Sequence, residues 1–237
     1  MNPTKPGSLF LVSTPIGNLK DITLRALEIL SQVDLILAED TRHAGKLLSH
    51  YEIKTPKTSY HDYTKSDKIE SLINQLENGK TLALLSDSGT PLLSDPGYAL
   101  VKAAVKRDIT VIPLPGASAL LSALVPSGAT MDSFVYEGFI PVKGSSRNAR
   151  LNRIAKEERT QILYESPYKI VKLLKDLKAV LGENREIVLA RELTKLHEEF
   201  LRGTADDLIK HFEQKKPKGE FVVVVPRALD EKGDSND

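Results

Sequence analysis

The chain has no cysteine. That excludes a disulfide scaffold, a cysteine-ligated zinc site, an iron–sulfur cluster and a cysteine nucleophile, and it fits a reducing compartment. An excess of one charge is also missing, since 33 Lys+Arg stand against 32 Asp+Glu. A nearly neutral chain has no global basic field, so a polyanion would have to be met by a local patch. Apolar runs such as Phe221–Val225 are short, far below the ~18 residues that span a bilayer. The segment Met1–Gly7 has no apolar signal-peptide core. The expectation is a soluble, cytoplasmic protein with no membrane partner.

Familiar ligand motifs are missing as well. No G-x-G-x-x-G follows the first strand and no G-x-x-x-x-G-K-[ST] exists, so neither a Rossmann dinucleotide loop nor a P-loop is supported. Gly116-Ala-Ser118-Ala-Leu120 lacks the last glycine of a nucleophile elbow. The five histidines show no H-E-x-x-H spacing, and no metal is expected.

What is present is an alternation of short β-rich runs with amphipathic stretches. The expected strands are Leu9–Val12, Leu35–Ala38, Thr81–Leu85, Thr110–Pro113, Phe134–Tyr136, Gln161–Tyr164, Ile187–Ala190 and Phe221–Val225. Several are apolar throughout, the pattern of parallel strands covered on both faces. Ile69, Leu72, Ile73 and Leu76 keep helical spacing and Gly79 follows as a stop. Ser166-Pro167 reads as a cap and first-turn proline, and Thr204–Asp207 as a capping box. The fold class expected is α/β, two α/β domains with mostly parallel sheets, residues 1–116 and 117–227, followed by a polar tail, 228–237, expected to be disordered.

In open α/β sheets ligands sit beyond the carboxyl ends of the strands. Ser13–Asn18, Glu39–His43, Ser86–Pro91 with Asp95–Gly97, and Pro115–Ala119 follow strands in the first half; Glu165–Pro167 and Arg191–Lys195 do so in the second. Each loop alone is an ordinary turn. Together, small residues beside Asp87 suit a backbone that approaches a ligand closely.

Three of these stretches, Ser13-Thr-Pro-Ile-Gly-Asn18, Ser86–Gly97 and Pro113–Ser118, resemble the signatures of the tetrapyrrole methylase superfamily. The resemblance implies an S-adenosylmethionine (SAM) enzyme with two α/β domains and the cofactor in the cleft between them. Ser13, Thr14 and Ile16 depart from the G-x-G-P-G of most members, which points away from a porphyrin substrate. Ala38–Arg42, Tyr136–Phe139, Tyr164–Ser166 and Leu189–Lys195 are similar to the branch that methylates a cytidine ribose 2′-oxygen in 16S rRNA. The resemblance runs from about Ser8 to Pro226. It implies the small ribosomal subunit as partner and a homodimer; the alternative is a small-molecule, tetrapyrrole-type SAM methyltransferase on the same fold.

By analogy with the family, Pro15 and Ile16 pack on apolar parts of SAM, Asp87, Gly89 and Thr90 hold its methionine portion, Ser118 and Ala119 offer helix-start N–H groups, and Tyr164, Ala190 and Gly219 line the second-domain wall. Asp40, Glu165 and His61 are the candidate bases for removing the acceptor proton. Arg42 suits a phosphate or the acceptor nucleotide; the equal alternative is a salt bridge to Glu39 or Asp40. Lys143, Arg147, Arg150 and Arg153 fall in eleven residues without an acid. On a helix the three arginines share roughly one face, which is expected to follow a phosphate backbone; a solvated charged face is the alternative.

Overall fold

The fold is taken from a computed structural model of the chain, which describes residues 7–228. Two compact units meet at Ser118/Ala119. The expectation for residues 228–237 lies, Ala228 apart, outside the described residues.

The first unit runs β1 (Ser8–Val12), α1 (Leu24–Gln32), β2 (Leu35–Ala38), α2 (Thr41–His50), β3 (Lys57–Ser59), α3 (Ser66–Glu77), β4 (Leu82–Leu85), α4 (Tyr98–Lys106) and β5 (Thr110–Leu114). Its strands form one sheet in the order β3-β2-β4-β1-β5, with every pairing parallel. β4 shows why these strands are apolar throughout. Leu82 and Leu84 pack with Ile73 and Leu76 of α3 and Leu100 of α4, whereas Ala83 and Leu85 pack with Leu30 of α1 and Leu48 of α2. Each leucine so buried contributes roughly 1.5–3 kcal/mol. Crossing β1 to β2 and β4 to β5 on opposite sides leaves a switch point at the carboxyl ends of β1 and β4, where open α/β sheets bind ligands.

The second unit runs α5 (Ala119–Leu124), β6 (Phe134–Phe139), α6 (Ser145–Lys156), β7 (Thr160–Glu165), α7 (Ile170–Leu181), β8 (Glu186–Arg191), β9 (Glu199–Thr204), α8 (Ala205–Gln214) and β10 (Phe221–Val225). The sheet order is β6-β7-β10-β8-β9. Here the mostly parallel expectation is corrected. Only β6 and β7 pair in parallel; β10 runs antiparallel to both neighbours, and β8 is antiparallel to β9. β10 is apolar because it is buried on both faces, and that burial is indifferent to strand direction. One face, with Leu163, Leu189 and Val223, meets Leu173, Leu177, Leu208 and Phe212 of α7 and α8; α5 packs against the same strand, β10.

The Thr204 capping box is present, with Asp207 closing it. The Ser166 cap is not: α7 begins at Ile170, and the Ser166 hydroxyl donates to Glu165 Oε1. Residues 166–169 form a preceding turn, in which the N–H groups of Lys169 and Ile170 both donate to the Ser166 carbonyl.

Candidate functional site

The carboxyl-end loops of β1, β4 and β5 are tied together by their backbones. Thr14 and Gly89 exchange both backbone hydrogen bonds, at 2.9 and 3.0 Å. The Thr14 hydroxyl donates to the Ser86 carbonyl, the Ser86 hydroxyl to the Gly89 carbonyl, and the Thr90 hydroxyl to the Ala117 carbonyl. Ser13 Oγ lies 3.3 Å from Thr90 Oγ1. Gly89 has φ +83°, and Ile16 lies over it. A Cβ on Gly116 would stand 2.8 Å from that of Ser13, so glycine is what lets the third loop close on the first. Ile16 is buried, Pro15 and Asp87 are half-buried, and Ser118 is buried beside Ala119, where α5 opens.

Carboxylates gather at the same edge. Burial, then the neighbouring charge of Asp87, raises the Glu39 pKa; burial, then Glu39, Asp87 and Asp62, pushes Asp95 up to about 7. Mutual repulsion among partly buried acids favours a bound cation or a held proton. The sequence places Asp95 in a strand-end loop without marking a role for it; the signal it carries is the Asp95-Pro-Gly97 turn, and the charge of Asp87 acts on it. Among the described residues no group of three or more His, Asp and Glu side chains is disposed to hold a metal ion.

Asp40 is corrected as a base. It caps α2, accepting from the Arg42 backbone N–H at 2.8 Å, and its two oxygens take Arg42 Nε at 3.1 Å and Nη2 at 2.8 Å. The Arg42 side chain and backbone bonds hold the Asp40 carboxyl well below the usual carboxylate range. A carboxylate so stabilised is a weak proton acceptor. Arg42 accordingly takes the salt-bridge reading, with a strongly exposed guanidinium. The His61 backbone N–H donates to Thr64 Oγ1, and its ring lies close enough to Glu39 to favour that carboxylate's charge.

In the second unit, Tyr164 and Ala190 each pair with Val222, and Ala190 with Phe200, so the four form one cross-strand row. The Tyr164 ring meets those of Tyr136 and Phe139 edge-on, at 5.1 and 5.6 Å. Glu165, one residue on, is buried. Its Oε1 accepts the Ser166 N–H at 2.7 Å, while Oε2 is shut from solvent without a hydrogen-bond partner. Gly219, at φ +84°, is pressed against the Glu192 side chain, which accepts the Glu220 N–H and Lys195 Nζ. Any Cβ at 219 would occupy the space of that carboxylate.

The arginine segment is a further correction. Arg147 shares the buried face of α6 with Leu151 and Ile154. Its Nε donates to Asp176 at 2.9 Å and its Nη1 to the Pro141 carbonyl at 2.8 Å. Arg150 and Arg153 both donate to Glu137, at 2.8 and 2.6 Å. Glu137 is the extra residue of a bulge in β6, between the paired Tyr136 and Gly138, and bulges re-aim a side chain. The acids that neutralise this stretch come from distant parts of the sequence, so a local count of charges missed them. Lys143, before the helix, is exposed.

The family model for tetrapyrrole (corrin/porphyrin) methylases matches residues 8–209. The chain is 51% identical over 225 residues to ribosomal RNA small subunit methyltransferase I of Synechocystis sp., covering 95% of this chain and 81% of that protein. It is 49% identical over 233 residues to the Haemophilus influenzae protein of the same name, covering 98% of this chain and 82% of that one. Among solved structures, the cobalamin biosynthetic enzyme cobalt precorrin-4 methyltransferase shares the fold, with TM-score 0.68 at 16% identity, covering 92% of this chain and 94% of that one.

Proposed function

The chain belongs to the tetrapyrrole methylase family, and we propose that it transfers a methyl group from SAM to the ribose 2′-hydroxyl of a cytidine in the 16S rRNA of the small ribosomal subunit, in the cytoplasm and as a homodimer. That it is an rRNA methyltransferase rests on relatives that are near half identical over almost the whole chain. The lack of acids around Lys143–Arg153 does not separate RNA from a small-molecule substrate, because Arg147, Arg150 and Arg153 are ion-paired. The relatives carry that choice.

One observation carries the cofactor reading. The Thr14–Gly89 pair and the Ser13–Gly116 approach form a small-residue cradle beside Asp87, Asp95 and Glu39. SAM bears a sulfonium and an ammonium, and that donor set suits both. Asp87, Gly89 and Thr90 would hold its amino-acid end, Pro15 and Ile16 its apolar parts, and Ser118 and Ala119 its polar atoms. In the second unit Tyr164 is partly exposed, with Ala190 and Val222 buried beside it in the row, and it would be the residue of those three to meet a ring. When bound, the cofactor supplies an activated methyl group.

The residues then have to align the acceptor and take up its proton. Asp40 is held as an ion pair and Glu165 Oε2 is enclosed, so we assign most of the catalysis to positioning. The reading is tested by incubating 16S rRNA and small subunits with labelled SAM and mapping 2′-O-methyl sites. A single labelled cytidine is expected; label in a tetrapyrrole and none in RNA would overturn it.

A further inference from the structure

At the end of the second sheet where β8 begins and β10 ends, a cavity of about 620 Å³ is lined by Arg185, Arg202 and Arg227 and by the Ser127–Thr130 loop. The cavity takes in β8 from Glu186 to Val188, and Val188 lies two strand steps, roughly 6–7 Å, before Ala190, so the cavity lies towards the start of β8 and the Tyr164–Ala190 row towards its end. The three guanidinium groups are not equivalent. Arg202 is held by the Pro126 carbonyl at 2.7 Å and stacks over Phe200 at 5.5 Å. Arg227 reaches Asp132 only loosely, at 3.7 Å between exposed side chains.

Arg185 makes no ion pair among the described residues, and its Nε is buried without an acceptor. Burial lowers its pKa, and no carboxylate opposes that fall. The two acids on the wall do not answer it: Glu183 is paired with Lys178 at 3.3 Å, and Glu186 is exposed. Gly128 and Gly182, both at positive φ, leave open space where a side chain would stand. A half-buried, unanswered guanidinium is costly to the fold. It is the arrangement of a site awaiting an oxyanion, for which the planar fork is suited.

We propose that this cavity grips a backbone phosphate of the RNA substrate, with Arg185 as the central contact and Arg227 exchanging Asp132 for the phosphate. The inference rests on the rRNA reading above. None of the residues of the Thr14–Gly89 cradle lines this cavity, so it is distinct from the cofactor cradle; RNA presents one phosphate at every nucleotide.

The test measures binding of a 16S rRNA transcript at several salt concentrations, beside SAM calorimetry and thermal unfolding, for the wild type, Arg185→Met and Arg185→Lys. Arg185→Met is expected to weaken RNA binding roughly tenfold. It should also make the salt dependence shallower by about 0.7–0.9 of a slope unit per lost phosphate contact. Because it removes a desolvated charge, its Tm should hold or rise, with SAM affinity unchanged. Arg185→Lys should keep most of the salt slope.

Unchanged affinity and slope in Arg185→Met would overturn the proposal. So would a Tm loss that Lys restores with neither variant moving the slope, which marks a structural arginine. Inorganic phosphate or cytidine monophosphate binding that Arg185→Met abolishes while RNA binding stays intact would assign the cavity to a small ligand instead. A wild type that binds no transcript at any salt would fault the rRNA reading itself.

Discussion

The Oδ1 of Asp87 accepts the backbone N–H of Asp40 at 3.1 Å, joining the turn after β4 to the turn after β2. One carboxylate therefore both positions a neighbouring loop and presents charge at the cradle formed with Gly89.

Those two jobs separate by substitution. Asp87→Asn keeps an acceptor for the Asp40 N–H but removes the charge; Asp87→Ala removes both. We expect both variants to weaken SAM by roughly tenfold or more, the order of a lost charge-assisted hydrogen bond, and only Ala to lower Tm as well. Calorimetry with thermal unfolding distinguishes them. Wild-type SAM affinity in Asp87→Asn would take the charge out of the site.

Arg147 gives a prediction opposite to the sequence reading. Breaking a buried ion pair leaves the remaining charge uncompensated and costs about 3–5 kcal/mol in fully buried cases. Asp176 is partly exposed, with a side-chain accessibility of 29% against 5% for Arg147, so Arg147→Met should cost about 2–3 kcal/mol by denaturant unfolding. RNA affinity of the folded variant should be unchanged. An undiminished stability with weakened RNA binding would restore the phosphate-facing role.

Asp95 sets a pH dependence. Its folded pKa of about 7 lies well above that of an ordinary aspartate, so the native state holds the proton more tightly than the unfolded chain. The resulting stabilisation is complete below about pH 4 and is lost as pH rises through 7. Asp95→Asn should flatten that decline and give a higher Tm than wild type above pH 7, measured by thermal unfolding from pH 5 to 9. A parallel fall in both proteins would place the titration elsewhere.

Eight strands were legible because each is apolar enough to announce burial. The two that were not, Lys57–Ser59 and Glu199–Thr204, are β3 and β9, one edge of each sheet, whereas the other edges, β5 and β6, carry Val, Ile, Phe and Tyr. An edge strand is half in solvent, and Lys, Thr, Glu and Arg there carry no hydrophobic signal. Missing β9 had a consequence: it hid the β8–β9 hairpin and made the second half read as parallel. The strand-end loops of the first unit were found because their glycines, serines and Asp87 stand close in sequence to strand ends. Partners brought from far away were not. Glu137 for Arg150 and Asp176 for Arg147 lie 13 and 29 residues off, and sequence spacing carries no record of them.

The reciprocal pairing of Thr14 with Gly89 has a kinetic meaning. Each residue both gives and takes a hydrogen bond, so neither amide can be released to solvent without stripping the other of its acceptor or donor. Separating the two loops breaks both bonds together, so hydrogen exchange at positions 14 and 89 is expected to report a single opening event. A molecule that fastens either loop slows both, so occupancy sensed after β1 is registered after β4 with no change of shape.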